Sequence, residues 1–147
     1  MRYLSTQSKY MSEALKLAKK AYAIGEIPVG AVVVHGDTVI GRGFNRRETD
    51  RNPLAHAEML AIKQAAEYLD AWRLLDCDLY VTLQPCIMCQ GAVCNARIRR
   101  LFFGAYARPH EELFRGFSYK PESIGGILEQ ESSELLKYFF RELRGCY

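Results

Sequence analysis

The run DLYVTL at residues 78–83 constrains the fold more than any other feature. It is short, β-rich and almost wholly apolar, and segments with helical spacing stand on either side of it. A strand with no polar face has to be covered on both sides, as happens inside an α/β sheet.

Other segments supply the covers and the partners. Between Thr6 and Ala23, Met11, Ala14, Leu15, Ala18 and Tyr22 recur at helical spacing, with Ser5, Thr6 or Ser8 available as a cap and Gly25 beyond the end. The stretch VGAVVVHGDTVIGRGFN holds two β-branched runs around His35-Gly36-Asp37 and predicts a hairpin. A polar loop, RRETDRNP, leads into a helix over Ala55 to Asp70 with Met59, Ile62, Ala66 and Leu69 on one face. Pro85 opens a further helix to about Ala96, since proline suits a first helical turn. RRLFFGA reads as a strand, GGILEQ as a candidate strand, and SSELLKYFFRELRG as a last helix. That helix carries an apolar stripe of Leu135, Leu136, Phe139, Phe140 and Leu143. The segment YARPHEELFRGFSYKPES yields no element, although HEELFRGF offers a helical turn or two, and it is long for a structureless loop. The order predicts a single α/β domain over residues 1–147, a mixed central sheet with helices on both faces.

A chain of 147 residues, 49% hydrophobic and 25% charged, has the size and balance of one globular domain. The formal charge of +3 permits a phosphate-rich partner without demanding one. Arg42, Arg46, Arg47 and Arg51 cluster, as do Arg97, Arg99 and Arg100, and the plain reading of such groups is a solvated surface. The first residues contain no uninterrupted apolar stretch, and no run approaches the roughly 18 apolar residues of a membrane span, so neither a signal peptide nor a membrane partner is expected. Five cysteines, two of them in a C-x-x-C, then favour metal or redox use in the cytoplasm over a disulfide framework.

Within TLQPCIMCQ, Cys86 and Cys89 stand one helical turn apart, and two thiolates do not complete a metal site. His56, in NPLAHAEMLAI, begins another predicted helix. A helix N-terminus carries unsatisfied N–H groups and partial positive charge, which lowers thiol pKa values and favours thiolates at Cys86 and Cys89. One imidazole and two thiolates suit tetrahedral Zn2+ with a fourth position open for water. Glu58, two residues beyond His56, suits a proton carrier beside such a site. A lone C-x-x-C also fits a structural half-site or a redox pair. A closed site would want a fourth soft ligand, and Cys94 lies roughly 500° around the helix from Cys89 at 100° per residue. Cys77, Cys94 and Cys146 read as core or surface thiols.

The pairing of His56-Ala57-Glu58 with Pro85-Cys86-Ile87-Met88-Cys89 resembles the zinc-dependent nucleobase and nucleoside deaminases, with their H-x-E and P-C-x-x-C motifs. EIPVGAVVV, GFNRRE, WRLLDCDLYVTLQPC and ARIRRLFFGA make it similar to the bacterial tRNA adenosine deaminase group in particular. The resemblance implies a cytidine deaminase-like three-layer α-β-α fold and hydrolysis of a wobble adenosine to inosine in a tRNA anticodon stem-loop. It implies a homodimer, zinc bound by His56, Cys86 and Cys89, and catalysis by Glu58. It also implies substrate contacts from Asn45, Val29, Ala57 and Leu83. Arg46, Arg47 and Arg51 then stand where phosphates could be held, and a Tyr or Phe of the unassigned segment could stack on neighbouring bases. The chain departs from the group at two places. Gln84 replaces a Glu, and Tyr106-Ala107-Arg108-Pro109-His110 replaces an Asp followed by a Lys- and Gly-rich run. Two other functions stay open at this level: deamination of a free base or nucleoside such as guanine, cytosine or a modified purine, and a non-catalytic zinc-stabilised binding module.

Overall fold

A computed structural model describes residues 2–145. Strands β1 (Gly30–His35), β2 (Thr38–Phe44), β3 (Cys77–Leu83), β4 (Arg100–Ala105) and β5 (Glu122–Ile124) form one sheet in the order β2-β1-β3-β4-β5. β1 runs antiparallel to β2 and β3, while β3, β4 and β5 are parallel. The sheet is therefore mixed, as expected. The helices are α1 (Arg2–Ala23), α2 (Ala57–Leu69), α3 (Ile87–Asn95) and α4 (Glu129–Gly145). No described helix is long and apolar enough to cross a membrane.

Side-chain alternation divides the interior into two cores. Ala31, Val33, Leu79, Val81, Leu101 and Phe103 point to one face and pack with Ala57, Ala61, Ala65 and Val93 of α2 and α3. Val32, Val34, Tyr80 and Phe102 point to the other and pack with Tyr10, Met11, Ala14 and Leu17 of α1, with Ile127 and Leu128 at the approach to α4. Two layers of helix with a sheet between them result.

The helix that carries His56 and Glu58 sits very close to the sheet. A Cβ at Gly41 would lie 2.1 Å from the Ala61 carbonyl oxygen, and one at Gly43 would lie 2.3 Å from that of Ala57. Only glycine on β2 and small residues on α2 allow that approach. The buried face of α2 is accordingly Ala57, Glu58, Ala61 and Ala65, while the larger Ile62 and Leu69, with Ala66, pack at its margin. The expected stripe of Met59, Ile62, Ala66 and Leu69 is displaced because bulk is excluded where the helix meets the glycines.

Other expectations also shift. α1 runs straight through Ser5, Thr6 and Ser8, so none of them caps its start. Its end is as read: Gly25 adopts φ +80°, its N–H bonds to Tyr22 O at 3.0 Å, and Glu26 N–H bonds to Ala21 O at 2.9 Å. GGILEQ is not a strand; β5 lies just before it, and positive φ at Gly126 and Leu128 turns the chain into α4. Along α4 only Ser132 is buried, and Phe140 and Leu143 of the expected stripe stand 39% and 46% exposed.

The unassigned segment contains no helix among the described residues, yet it is pinned. Phe114 is buried in the core, Leu113, Phe117 and Tyr119 pack against it, and Tyr119 Oη donates to Ile98 O at 2.8 Å. Buried Gln90 of α3 accepts the Phe114 N–H at 2.9 Å and donates to Pro85 O at 3.0 Å. These aromatic rings hold the segment down. Of the segment's Tyr and Phe rings only Tyr106 is exposed, at 43%, and it also packs edge-on against Phe103.

Candidate active site

His56 and Cys86 occupy equivalent places: each is the N-cap of its helix. His56 has φ −79° and ψ 152° before α2, and Cys86 has φ −70° and ψ 171° before α3. Pro85 thus precedes the cap instead of opening the first turn. At an N-cap the side chain ordinarily accepts a hydrogen bond from its own helix. Neither does so here, and both turn inward. His56 Nδ1 lies 3.6 Å from Cys86 Sγ and 3.5 Å from Cys89 Sγ, with all three ligand atoms within 4.8 Å of one another.

These distances test the fit of zinc. With Zn–S near 2.3 Å and Zn–N near 2.0–2.1 Å, a tetrahedral ion spaces S and N about 3.6 Å apart. The protein already holds them there. Charge agrees with geometry. Burial, aided by the Arg47 charge, pushes the His56 pKa down and keeps the imidazole neutral and able to donate a lone pair. The Cys89 thiol is pushed far up, first by burial and then by Glu58 and Cys86. This reverses the expectation that a helix N-terminus would lower it: full burial and two acidic neighbours outweigh the partial charge of the helix. A site of buried acidic groups with a neutral imidazole suits a dication, whose charge draws the protons off the thiols.

Glu58 lies in the first turn of α2 and is buried. Burial holds its carboxyl above the usual carboxylate range, against the opposing pull of its own N–H and of Cys89. Its place beside Cys89 puts a proton-hungry oxygen next to the metal cradle.

Glu58, His56 and Cys86 line a cavity of about 160 Å³. A closed cavity of roughly 150 Å³ takes up benzene, so a flat ring fits here with its remainder at the open mouth. Val29, Ala57, Leu83 and Asn45 share the wall, so the residues read as substrate contacts are brought together. Asn45 Nδ2 donates to Ile27 O and its Oδ1 accepts from Arg47 N, each at 3.4 Å, which fixes the orientation of the amide. Of the three arginines after the hairpin only Arg47 lines the cavity. Arg46 pairs with Asp50 at 3.1 Å and lies over the Phe44 ring, and Arg51 is exposed in the loop. Ile27, Gln84, Ala107 and Arg108 complete the wall and were not read as site residues. The departure at Gln84 was the available signal.

Cys77 and Cys94 are buried thiols apart from the cluster. Burial, with Asp78 and Asp76, pushes Cys77 up to about 11, and burial also raises Cys94. Cys146 lies outside the described residues.

Residues 4–105 match the model of the cytidine and deoxycytidylate deaminase zinc-binding region. The chain is 44% identical over 146 residues to a tRNA-specific adenosine deaminase of Bacillus subtilis (strain 168), covering 92% of this chain and 89% of that protein. It is 42% identical over 145 residues to one of Haemophilus influenzae, covering 92% and 84%. A solved structure from work on A-to-I editing by tRNA:A34 deaminases at the wobble position of transfer RNA superposes with a TM-score of 0.81. It is 42% identical, and the match covers 87% of this chain and 99% of that one. A guanine deaminase from Nitrosomonas europaea superposes with a TM-score of 0.80 at 28% identity, covering 90% and 83%.

Proposed function

The chain belongs to the tRNA-specific adenosine deaminases of the cytidine and deoxycytidylate deaminase zinc-binding family, and on that premise we propose that it acts on the wobble adenosine of a tRNA anticodon. Water adds at C6 of the adenine, the C6–NH2 bond breaks, and inosine and ammonia are the products. The observation that carries this reading is one cavity wall that brings His56 and Cys86 of the metal cradle, with Cys89 behind them, together with buried Glu58 and the Asn45 amide.

His56, Cys86 and Cys89 would hold Zn2+, which would supply the Lewis acidity that brings the pKa of water to near 7. Glu58 takes the proton and passes it to the departing amine. Its burial suits this, because burial raises the proton affinity of its carboxyl above that of an exposed one. Val29 and Leu83 sandwich the base edge, Ala57 leaves room for the ring, and Asn45 bonds its polar rim. An anticodon loop is single-stranded, so its base enters the pocket without a helix being opened.

We also propose a homodimer, as the resemblance to the group implies. The face assigned to the second copy is the groove of Met59, Met88, Gly91 and Phe117 between α2 and α3, beside the exposed Ile87. The assignment is cytoplasmic, where tRNA is the substrate.

The test measures ammonia release and inosine formation from an adenosine-containing anticodon stem-loop, with free adenosine, cytosine and guanine as competitors for the assignment and Glu58→Ala as blank. Release from the stem-loop is expected. Release from guanine alone would replace this reading with the free-base one, which the likeness to a guanine deaminase favours.

A further inference from the structure

Two loops form the rim of the cavity, and they are held in the same way. In the loop after β2, buried Glu26 accepts the backbone N–H groups of Glu48 at 3.3 Å and Thr49 at 2.9 Å. In the segment after β4, buried Gln84 accepts those of Ala107 at 3.0 Å and Arg108 at 2.9 Å, all through Oε1. Gln84 is itself fixed, its N–H donating to Ala105 O at 2.9 Å. Each clamp takes two consecutive N–H groups, and each brings one guanidinium to the cavity wall, Arg47 from the first loop and Arg108 from the second. Because β2 and β4 flank the β1–β3 pair in the sheet, the two loops lie on either side of the site.

Arg108 has further restraints. Its Nη2 reaches Pro85 O at 3.4 Å, one residue before the metal ligand Cys86, and its Nε pairs with Glu111. These contacts use two of its five N–H donors.

We propose that Arg108, positioned by Gln84, contacts a substrate phosphate from the opposite rim to Arg47. This rests on the deaminase reading above and adds a binding residue and a positioning residue to it. A free base offers no phosphate to either guanidinium, whereas an extruded nucleotide carries one on each side, and arginine matches phosphate in a planar, two-donor geometry. Arg108 is then a binding residue in the segment that departs from the family pattern, and Gln84 is a positioning residue acting through it.

The test is binding of an anticodon stem-loop to the zinc-loaded protein across a salt series, with steady-state kinetics alongside. Arg108→Ala should raise Kd and KM about tenfold, with the loss falling on KM more than on kcat. It should also lower the slope of log Kd against log salt by about 0.7, the share of one phosphate on a single strand. Arg108→Lys should restore most of the slope. Gln84→Ala should reproduce the Arg108→Ala loss, Gln84→Glu should keep the wild-type slope through the same two N–H bonds, and the double variant Gln84→Ala with Arg108→Ala should be no worse than either alone. An Arg108→Ala protein with wild-type Kd and slope overturns the proposal, as does a Gln84→Ala protein that loses zinc or kcat while keeping the slope. Tight, arginine-dependent binding without deamination leaves the clamp standing and overturns the proposed function instead.

Discussion

Glu58 and Asp78 are almost equally buried, 4% and 6% exposed, and the protein treats them in opposite ways. Asp78 sits at the beginning of β3. Burial pushes its carboxyl up, but Arg100 and Arg99 each clasp both its oxygens, at 2.7–3.2 Å, and together bring it below the usual range. Glu58 sits beyond the other end of β3, beside the metal cradle, where burial raises its carboxyl and no arginine offsets it. Satisfying a buried carboxylate with cations makes it a joint between strands. Leaving it with the weak opposition of a thiol and one N–H suits it to the base role proposed above. The parallel strands β3 and β4 thus have a structural end and a chemical end.

The largest effect should come from removing the cation on which the chemical end depends. Cys86→Ser, or a chelator, should lower zinc content, turnover and thermal stability together, because metal binding is linked to folding. Metal analysis beside a melting curve checks this. A Cys86→Ser protein with full zinc would break the ligand assignment.

Glu58→Gln should come next, with turnover lower by about 10²–10⁴-fold, the usual contribution of a positioned acid–base group. Zinc content should persist. Thermal stability should hold or rise, since the substitution removes a buried charge that no side-chain cation offsets. If Glu58→Gln instead unfolds the protein while Asp78→Asn is harmless, the comparison is inverted and the functional assignment of the two ends fails.

Asp78→Asn should leave zinc and kcat near wild type and cost about 2 kcal/mol of stability, the scale of hydrogen bonds to charged groups in a partly exposed network. The sign of its pH dependence follows from the depressed pKa. A carboxyl held below its unfolded value of about 3.9 contributes fully above that value, and the contribution is lost as pH falls through the lower folded value. The gap in melting temperature between wild type and Asp78→Asn should therefore be constant from pH 7 down to about 5 and close as the pH falls below about 4.

The chemical end was more legible in the sequence than its rim. His56, Glu58, Cys86 and Cys89 are few, short-spaced and chemically unusual, so the motif alone located the cradle, and the helices on both faces of the sheet followed from the apolar run at 78–83 and the order of elements. The fine geometry was not legible. That His56 and Cys86 are N-caps depends on ψ values of 152° and 171°, set by tertiary contacts instead of local propensity. The raised Cys89 thiol depends on burial that composition does not reveal. Residues 106–121 defeated a periodicity reading because their order comes from long-range bonds, to Gln84 and Gln90, and from Phe114 inserted at φ +62°. The apolar residues of α4 misled in the other direction: periodicity was present, but Phe140 and Leu143 have no core to enter within the described chain.

Glu26 is a third buried carboxylate and gives the comparison an intermediate case. Burial pushes it up, while the N–H and side-chain hydroxyl of Thr49 and the N–H of Glu48, helped by Arg47, bring it below the usual range. It is satisfied as Asp78 is, but by backbone, and what it holds is the loop carrying Asn45 and Arg47. Its removal should therefore be felt at the chemical end although it takes no part in chemistry. Glu26→Gln keeps an acceptor for one or both N–H groups and loses the charge, so it should cost about 1 kcal/mol, the ordinary worth of a hydrogen bond. The same substitution should raise KM for the stem-loop a few-fold with kcat nearly intact, the smallest effect in the series. Glu26→Ala should do both more strongly. A fall in kcat at constant KM would mean that Glu26 reaches the reacting base, and the division between carboxylates that hold and the one that reacts would have to be redrawn to include it.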